Sequence, residues 1–385
     1  MHRREILAAF SARVRLVFSN YDSPGNPYYS GGGAAAIHEV ARRLAAHHRV
    51  EVVVGRYAAD QPTARDGVTY TPIGPVAGPK LGQLFFHLGL PLRVRRGGFD
   101  LWCESLTPPF STLGLPRFTT RPVVALTQIL SGAAMRRKYG LPFDRIERRG
   151  LRAYRHAIAT SEYLRGRLLA ANPDLNVTVI PNGVPGELIR LEPARAERHI
   201  LYLGRLDVEQ KGLDLLAAAL EPVAAQLPWP VVVAGAGTPR DEARLRRLLA
   251  AHGLSERVRL AGRVSGERRH QLLCEAALLV LPSRFEASPL VLLEAFCYRL
   301  PVVMFAIPEL AEVPEACGVK VPPFDPRAFG AALRALAGDP ARRAALGQAG
   351  KAYAASFDWD VLAGRYADFF ESVARPGLGS PPRAP

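Results

Sequence analysis

The sequence predicts an α/β protein of two domains, each built around a doubly wound parallel sheet covered by helices. Its 385 residues are 48% hydrophobic, which is enough for two cores of ordinary domain size and too apolar for a disordered chain. Short β-branched apolar runs alternate with helical patterns in both halves, as in successive βαβ units. A polar, turn-rich segment near the middle of the chain separates the two series.

Runs rich in valine, isoleucine and leucine predict the strands. The predicted strands are residues 14–18, 50–54, 68–73, 101–103, 123–126, 158–160 and 177–180 in the first half, and 200–203, 231–234, 258–260, 278–281, 302–305 and 320–321 in the second.

The segment from Pro181 to His199 is predicted to link the domains, because turn-forming residues open it and apolar residues are scarce along it. The predicted domains are therefore residues 1–185 and 186–356. A helical pattern at 357–374 follows the second sheet, and we expect this helix to return to the first domain. The Pro- and Gly-rich tail at 375–385 is predicted to be disordered.

Several features argue against an exported, membrane-spanning or metal-binding protein. The chain has no run of about 18 apolar residues, and residues 1–10 lack the apolar core of a secretory signal, so we expect a cytoplasmic protein. The four cysteines form no CxxC pair and are expected to be reduced residues of the core, without a disulfide framework or a zinc site. They are Cys103, Cys274, Cys297 and Cys317.

Positive charge is concentrated in the first half of the chain. The net charge is +15, and residues 1–185 hold 25 basic and 12 acidic side chains, against 25 and 23 in residues 186–385. Such asymmetry favours an acidic partner for the first half: nucleic acid, an anionic membrane surface, or a phosphorylated or acidic substrate. An arginine-rich, solvated surface without a partner is the alternative.

Three motifs suggest chemistry. Gly31-Gly32-Gly33 lies between the first strand and a predicted helix, where bare backbone N–H groups can approach a phosphate or a sugar, although the motif also suits a structural turn. Its spacing is neither GxGxxG nor a P-loop. Arg205 and Lys211 flank a strand-to-helix turn and can converge on one diphosphate. A surface ion pair between Arg205 and Asp207 is the alternative for the second motif.

The third motif follows the predicted strand at 278–281. Glu286 lies on the loop before a helix expected to begin near Ser288, and can face a ligand whose phosphates rest on that helix N-terminus. Glu294 lies inside the helix among apolar neighbours, where an unpaired carboxylate would cost several kcal/mol. We therefore expect Glu294 to have a partner rich in hydroxyl groups.

The order of these motifs resembles that of the retaining glycosyltransferases of family 4, which have the GT-B fold, with two Rossmann-like domains facing a cleft. The resemblance covers about residues 13–373 and is more specific in the second half. It rests on Gly204-Arg205, Lys211-Gly212, Gly262-Arg263-Val264-Ser265, Pro282-Ser283, Glu286, Glu294-Ala295, Pro301-Val302-Val303, Gly31-Gly32-Gly33, Ala159-Thr160-Ser161-Glu162 and Val179-Ile180-Pro181-Asn182-Gly183-Val184.

The resemblance implies transfer of a sugar from a nucleotide-diphosphate donor to a hydroxyl acceptor, which can be a glycan, a lipid-linked molecule or a small molecule, with retention at the anomeric carbon. It implies Glu286, Arg205 and Lys211 as catalytic residues, and neither a metal nor another cofactor, because cations and a helix N-terminus take the metal's place. The implied donor contacts are Gly204, Arg205, Lys211, Arg263, Val264, Glu286, Ser288, Pro289, Leu290 and Glu294, with Glu294 on the ribose and Val264 near the base. The implied acceptor and phosphate loop comprises Gly31, Gly32, Gly33, Thr127 and Gln128.

This chain departs from the family pattern at three places. Thr127-Gln128 stands where the family often has a histidine, Ala287 replaces a glycine after the first glutamate, and Ile307-Pro308-Glu309 replaces a glycine pair. The donor sugar therefore does not follow from the resemblance.

Some features of the sequence also suit other functions. Nucleic-acid binding is disfavoured because no nucleic-acid motif and no interleaved aromatic residues accompany the basic residues. A nucleotide-sugar epimerase or a sugar phosphorylase of the same fold remains an alternative. Peripheral contact with an anionic membrane is a further one, since residues 144–156 place Ile146, Leu151 and Tyr154 among five arginines in an amphipathic pattern. On the alternative interpretation of that segment, its apolar side chains pack on the N-terminal sheet.

Overall fold

The computed structural model describes residues 13–26 and 32–374, which fold as two α/β units. Unit 1 contains the described residues up to Asn182 and from Trp359 onward, and unit 2 is Gly183–Asp358. Each unit holds a predominantly parallel sheet with helices on both faces, so the predicted fold class is confirmed. The sequence predicts no signal peptide in residues 1–10 and a disordered tail at 375–385. Both segments lie outside the described residues.

Every predicted strand overlaps an observed one. The apolar runs are strands because parallel sheets covered on both faces bury successive side chains, as in Leu101–Ser105, where all five residues are buried. The strands are β1 (Arg15–Ser19), β2 (Arg49–Gly55), β3 (Ala64–Arg65), β4 (Val68–Ile73), β5 (Leu101–Ser105), β6 (Val123–Thr127), β7 (His156–Ala159), β8 (Asn176–Val179), β9 (His199–Leu203), β10 (Val231–Ala234), β11 (Val258–Gly262), β12 (Ala276–Leu281), β13 (Val302–Phe305) and β14 (Gly318–Val321).

Several helices begin at a side chain that accepts a hydrogen bond from the backbone N–H three residues later, which satisfies one of the orphan donors of the first turn. Ser161, Thr238, Asp325 and Asp339 act in this way. The α-helices are α1 (Gly32–Leu44), α2 (Pro79–Arg95), α3 (Gly132–Tyr139), α4 (Phe143–Leu151), α5 (Glu162–Ala171), α6 (Gly186–Ile189), α7 (Leu213–Leu220), α8 (Pro239–Ala251), α9 (Gly266–Glu275), α10 (Leu290–Cys297), α11 (Pro326–Ala337), α12 (Pro340–Ala354) and α13 (Trp359–Ala374).

The strand order of each sheet reverses next to its first strand. The unit 1 sheet runs β3-β4-β2-β1-β5-β6-β7-β8, and the unit 2 sheet runs β11-β10-β9-β12-β13-β14. All the pairings are parallel except that of β3 with β4. The order reverses at β1 and β9, and ligands of such sheets bind beyond the carboxyl ends of the strands at that point. The unit 2 site described below lies at the carboxyl ends of β9 and β12.

Unit 1 has one helical layer on each face of its sheet. Phe86 and Leu90 of α2 share a buried cluster with Val17, as do Leu151 at the end of α4 and Tyr154 after it. On the opposite face, Phe18 meets Phe370 of α13 with ring centroids 5.8 Å apart. Neighbouring residues of a strand point to opposite faces, so β1 contributes to both layers.

The last helix belongs to unit 1. Trp359, Leu362 and Tyr366 of α13 are buried, and the helix packs against α1. Arg43 of α1 donates to Asp360 at 2.6 Å, and Arg365 donates to the carbonyl of Val179 at 2.6 Å. The buried apolar face of α13 therefore completes the layer over one side of the unit 1 sheet.

The structure favours the second interpretation of residues 144–156, in which the apolar side chains pack against the protein. Leu151 and Tyr154 are buried in unit 1 and Ile146 is half-buried, so this apolar side already packs against the protein. The solvent side carries arginines that line an open depression of about 470 Å³: Arg145, Arg148, Arg149 and Arg152. In residues 13–26 and 32–374, no helix has the length and apolar character needed to span a bilayer.

Candidate functional site

The loop after β9 is held against the loop after β10 by backbone hydrogen bonds. Gly204 N–H donates to the Ala234 carbonyl at 3.0 Å, and Leu206 N–H donates to the Ala236 carbonyl at 3.0 Å. Gly235 has a φ of +147°, and a Cβ there would lie 1.7 Å from the Gly204 carbonyl oxygen. Only a glycine permits this approach, which fixes the backbone that carries Arg205.

The same loop is pressed against the end of β12 at Gly212. This residue has a φ of +63°, and a Cβ there would lie 1.9 Å from the carbonyl oxygen of Pro282. A side chain is therefore excluded by both conformation and contact. The close approach places Lys211 beside the loop that carries Glu286.

Lys211 and Glu286 form a buried ion pair between the ends of neighbouring strands. The Lys211 Nζ lies 2.7 Å and 2.8 Å from the two carboxylate oxygens, and Ser283 Oγ donates to Glu286 at 2.5 Å. The Lys211 side chain is 15% exposed and that of Glu286 4% exposed. The structure therefore brings together two of the residues predicted to be catalytic.

A second ion pair braces the two loops. Arg284 forms a bidentate pair with Asp214 at 2.8 Å and 2.7 Å, and it also donates to the Glu209 carbonyl at 2.8 Å. Burial raises the pKa of Asp214, but the Arg284 guanidinium outweighs burial and holds that pKa below its usual value. The Arg284–Asp214 pair ties the start of α7 to the loop after β12. In sequence, Asp214 lies just after Lys211 and Arg284 just before Glu286.

Arg205 lies on the same loop and is largely exposed to solvent. Its guanidinium donates to Gln210 Oε1 at 2.5 Å and lies 3.9 Å from Asp207. The ion pair offered as the alternative role for Arg205 is thus present but long and exposed, and such pairs contribute little to stability. The guanidinium can turn toward an anion at small cost.

The helix after Glu286 begins at Leu290, two residues later than predicted. Pro289 is its N-cap, and no side chain caps the first turn. An uncapped first turn leaves backbone N–H groups for an anion, which the helix dipole also favours. Ser288, Pro289 and Leu290, which are predicted to contact the donor, lie at and just before the start of α10.

Glu294 has a cationic partner within unit 2. Arg269 of α9 holds it in a bidentate pair at 2.8 Å and 2.5 Å. Burial lowers the pKa of Arg269, but the Glu294 carboxylate outweighs burial and raises it above its usual value. The pair orients the carboxylate one turn into α10.

Arg263 and Val264 follow β11, which is separated from β9 by β10. Arg263 is exposed, and Val264 is half-buried against the core of unit 2. Among the described contacts, none joins either residue to the Lys211–Glu286 pair. The structure leaves them at the same edge of the sheet, away from that pair.

The predicted residues of the first half gather at the carboxyl edge of the unit 1 sheet. Gln128 follows β6, and its side-chain nitrogen donates to the Gly33 carbonyl at 3.5 Å, while Gly32 begins α1. The buried hydroxyl of Thr127 has no hydrogen-bond partner in the described part of the chain, and neither does that of Thr160. Gly31 lies outside the described residues.

Sequence reasoning assigned no role to the residues that hold this site in shape. Asp214, Ser283, Arg284 and Arg269 act as partners of the predicted residues, and ion pairs between distant segments leave no local pattern. Gly235 could have been found, because Gly235-Ala236-Gly237 follows a predicted strand directly. Over residues 13–26 and 32–374, no three His, Cys, Asp or Glu side chains form a group that could hold a metal ion.

Curated relatives include several glycosyltransferases. The chain is 31% identical over 250 residues to a GDP-mannose:cellobiosyl-diphosphopolyprenol alpha-mannosyltransferase of Xanthomonas campestris, covering 62% of this chain and 63% of that protein. It is 33% identical over 176 residues to an alpha-D-kanosaminyltransferase of Streptomyces kanamyceticus, covering 43% and 45%. The matched region thus spans about half to just under two thirds of these relatives.

Solved structures share the fold. A sucrose-phosphate synthase of Thermosynechococcus elongatus has a TM-score of 0.77 at 22% identity, covering 94% of this chain and 99% of that one. The Anabaena protein HepE in complex with UDP-glucose has a TM-score of 0.74 at 18% identity, covering 94% and 100%. At these identities the likeness establishes the fold alone.

Family comparisons account for both halves of the chain. The family Glycosyltransferase Family 4 matches residues 30–188, and the family Glycosyl transferases group 1 matches residues 197–339. The first match covers most of unit 1 and the second lies within unit 2, where the buried ion pair lies. With glycosyltransferase relatives and a shared fold, this chain belongs to the family 4 glycosyltransferases and has the GT-B fold.

Proposed function

We propose that this protein transfers a sugar from a nucleoside-diphosphate sugar to a hydroxyl acceptor, with retention at the anomeric carbon. The observation that carries the proposal is the buried Lys211–Glu286 pair between the ends of β9 and β12, beside Arg205 and the uncapped start of α10. The donor class is supported by the mannosyltransferase relative, whose name specifies GDP-mannose, and by HepE, which was solved with UDP-glucose.

The diphosphate is assigned to Arg205 and Lys211. An ammonium group has three N–H donors, so Lys211 can keep its contact with Glu286 and still donate to a phosphate oxygen. The exposed guanidinium of Arg205 can take the other phosphate as a fork. Backbone N–H groups at Ser288 and Leu290, around Pro289, add donors at the positive end of α10.

The transferred sugar is assigned to Glu286. Its carboxylate accepts from Lys211 and Ser283, and further lone pairs remain for sugar hydroxyl groups. The ribose is assigned to Glu294, oriented by Arg269, and the base to the backbone near Arg263 and Val264. Gly204 supplies the backbone next to Arg205 on the donor side.

In this mechanism the bond between the anomeric carbon and the diphosphate oxygen breaks as the acceptor oxygen bonds to that carbon on the same face, and the proton of the acceptor hydroxyl passes to the departing diphosphate. Negative charge builds on the departing diphosphate, and Arg205, Lys211 and the α10 amides stabilise it there. The cations supply this stabilisation directly, so the proposed reaction uses no metal ion or other cofactor.

The acceptor hydroxyl is assigned to unit 1. Gly32, Gly33, Thr127 and Gln128 lie at the carboxyl edge of its sheet, with Gly31 next to them in sequence, and the Thr127 hydroxyl is buried without a partner among the described residues. The acceptor can be a glycan, a lipid-linked molecule or a small molecule, and this arrangement does not choose among them.

A thermal-shift screen with UDP, GDP, ADP and dTDP tests the donor site. A nucleoside diphosphate that binds only the folded protein raises its unfolding temperature, and the effect should be lost in Lys211→Ala. No shift with any of the four would contradict the assignment. Incubation with the corresponding nucleotide sugars and no acceptor then separates transfer from the alternatives, since an epimerase yields the epimer and a phosphorylase yields a sugar phosphate.

A further inference from the structure

Helix α2 of unit 1 is apolar on both sides, yet only one side is covered. Phe86, Leu90 and Val94 face the sheet and are buried. The opposite side carries an apolar stripe that remains 41–62% exposed: Leu81, Phe85, Leu88 and Leu92. A helix on the surface of a globular protein normally presents polar residues to water, so this side has the composition of a contact surface.

The stripe is regular and narrow. Its members follow at intervals of four, three and four residues, which places them on one line along the helix. At 1.5 Å per residue the line is roughly 16 Å long. A stripe one side chain wide is too small for a stable protein interface, which needs about 800 Å² from each partner, but it suits shallow insertion into a lipid surface.

The surroundings of the stripe are cationic. No Asp or Glu occurs between Asp66 and Asp100. Lys80 at the start of α2 and Arg95 and Arg96 at its end are exposed, so cations stand at both ends of the stripe. Apolar side chains flanked by cations, in a segment whose residues 67–99 contain no carboxylate, match an anionic lipid headgroup layer with hydrocarbon beneath it.

A second exposed element lies in the same helical layer. Tyr139 and Leu141, between α3 and α4, are 43% and 57% exposed, directly after the basic residues 136–138. Ring contacts run from His87 of α2 through Phe110 and Phe143 to Tyr139, with centroid separations of 5.7, 5.5 and 6.1 Å. The arginines on the solvent side of α4 extend the positive charge of this layer.

We propose that the outer side of α2 docks unit 1 on an anionic lipid surface. The leucines and Phe85 enter the boundary between headgroups and acyl chains, and Lys80, Arg95 and Arg96 contact lipid phosphates. This surface differs from the α4 segment first considered, whose apolar side chains are buried. A second copy of this chain is a poorer occupant, because pairing the two stripes would bring like charges together.

Co-sedimentation with vesicles tests the proposal. Wild type is compared with Leu88→Gln/Leu92→Gln, using vesicles of phosphatidylcholine alone and of phosphatidylcholine with phosphatidylglycerol, at low and high salt. The matched control is Val361→Gln, since Val361 is as exposed as Leu92, at 62%, but lies on α13 over the other face of the sheet. Nucleoside-diphosphate thermal shifts on each variant report the donor site independently.

Wild type and Val361→Gln should bind the anionic vesicles equally, and high salt should weaken both. The double variant should bind at least roughly tenfold more weakly, because burying even one leucine side chain corresponds to about that factor. Equal binding by the double variant, or no binding by wild type, would overturn the proposal. A wild-type dimer that the double variant dissociates, without vesicle binding, would also overturn it and assign the stripe to a second copy.

Discussion

Removing Lys211 should cost stability and turnover for different reasons, and the structure allows the two effects to be separated. In Lys211→Ala the Glu286 carboxylate, 4% exposed, keeps only Ser283 among its described partners. Breaking a buried ion pair in this way costs about 3 kcal/mol or more. For a domain of this size, that corresponds to a fall of roughly 6–12 °C in the unfolding midpoint.

Turnover should fall by roughly 10²-fold or more in Lys211→Ala, and also in Glu286→Gln, which is the size of single electrostatic contributions to a transition state. The double variant Lys211→Ala/Glu286→Gln is the control. It buries an amide in place of an unpaired charge, so it should recover most of the lost unfolding temperature and none of the lost turnover.

Calorimetry and a coupled assay of nucleoside-diphosphate release measure the two quantities on the same preparations. Wild-type turnover in either single variant would refute the catalytic assignment. An unchanged unfolding midpoint in Lys211→Ala would refute the argument that the pair is buried and structural as well.

Three further predictions follow from the same loops. Gly212→Ala should unfold at a lower temperature than Gly262→Ala. Both glycines have a positive φ, of 63° and 68°, but only at Gly212 would a Cβ meet another atom, the Pro282 carbonyl oxygen, 1.9 Å away. Equal unfolding midpoints would show that this contact is absent. Arg284→Gln should lower the unfolding temperature near neutral pH, and the difference from wild type should shrink below about pH 4. The reason is that Arg284 lowers the pKa of Asp214 in the folded protein. The ionised carboxylate therefore stabilises the fold above the pKa of the unfolded chain, and this stabilisation is lost as the pH falls through the pKa of the folded protein. A difference as large at pH 2 as at neutral pH would contradict this. Chelator should leave turnover unchanged, whereas a complete loss restored by Mn²⁺ would show that the cations at 205 and 211 do not suffice.

The sheets could be predicted from sequence because strands that are buried on both faces consist of unbroken apolar runs. The exception is β3, a two-residue antiparallel strand with no apolar pattern: both its residues are exposed. The partners within the site could not be predicted in the same way. Glu294 was recognised as needing a partner, but nothing local indicates that Arg269, 25 residues earlier, supplies it.

The same limit left two interpretations of residues 144–156 open. The spacing of Leu151 and Tyr154 among arginines is equally compatible with packing on a sheet or on a lipid, and only the tertiary structure decides that the sheet covers them. The exposure of the stripe on α2 could not be predicted from sequence, for the opposite reason. In a helix that is apolar all round, sequence does not distinguish the side that packs from the side left exposed.

Because α13 belongs to unit 1, that unit is encoded in two separate stretches, with all of unit 2 between them. The two crossings lie side by side, where Val184 N–H donates to the Phe357 carbonyl at 2.8 Å. During synthesis, unit 2 can therefore fold as soon as its own residues emerge from the ribosome, whereas the first-made domain stays incomplete until the final helix arrives to cover Phe18. A nascent chain stopped near residue 358 would leave the older domain with an uncovered apolar face, and chaperones would bind it there.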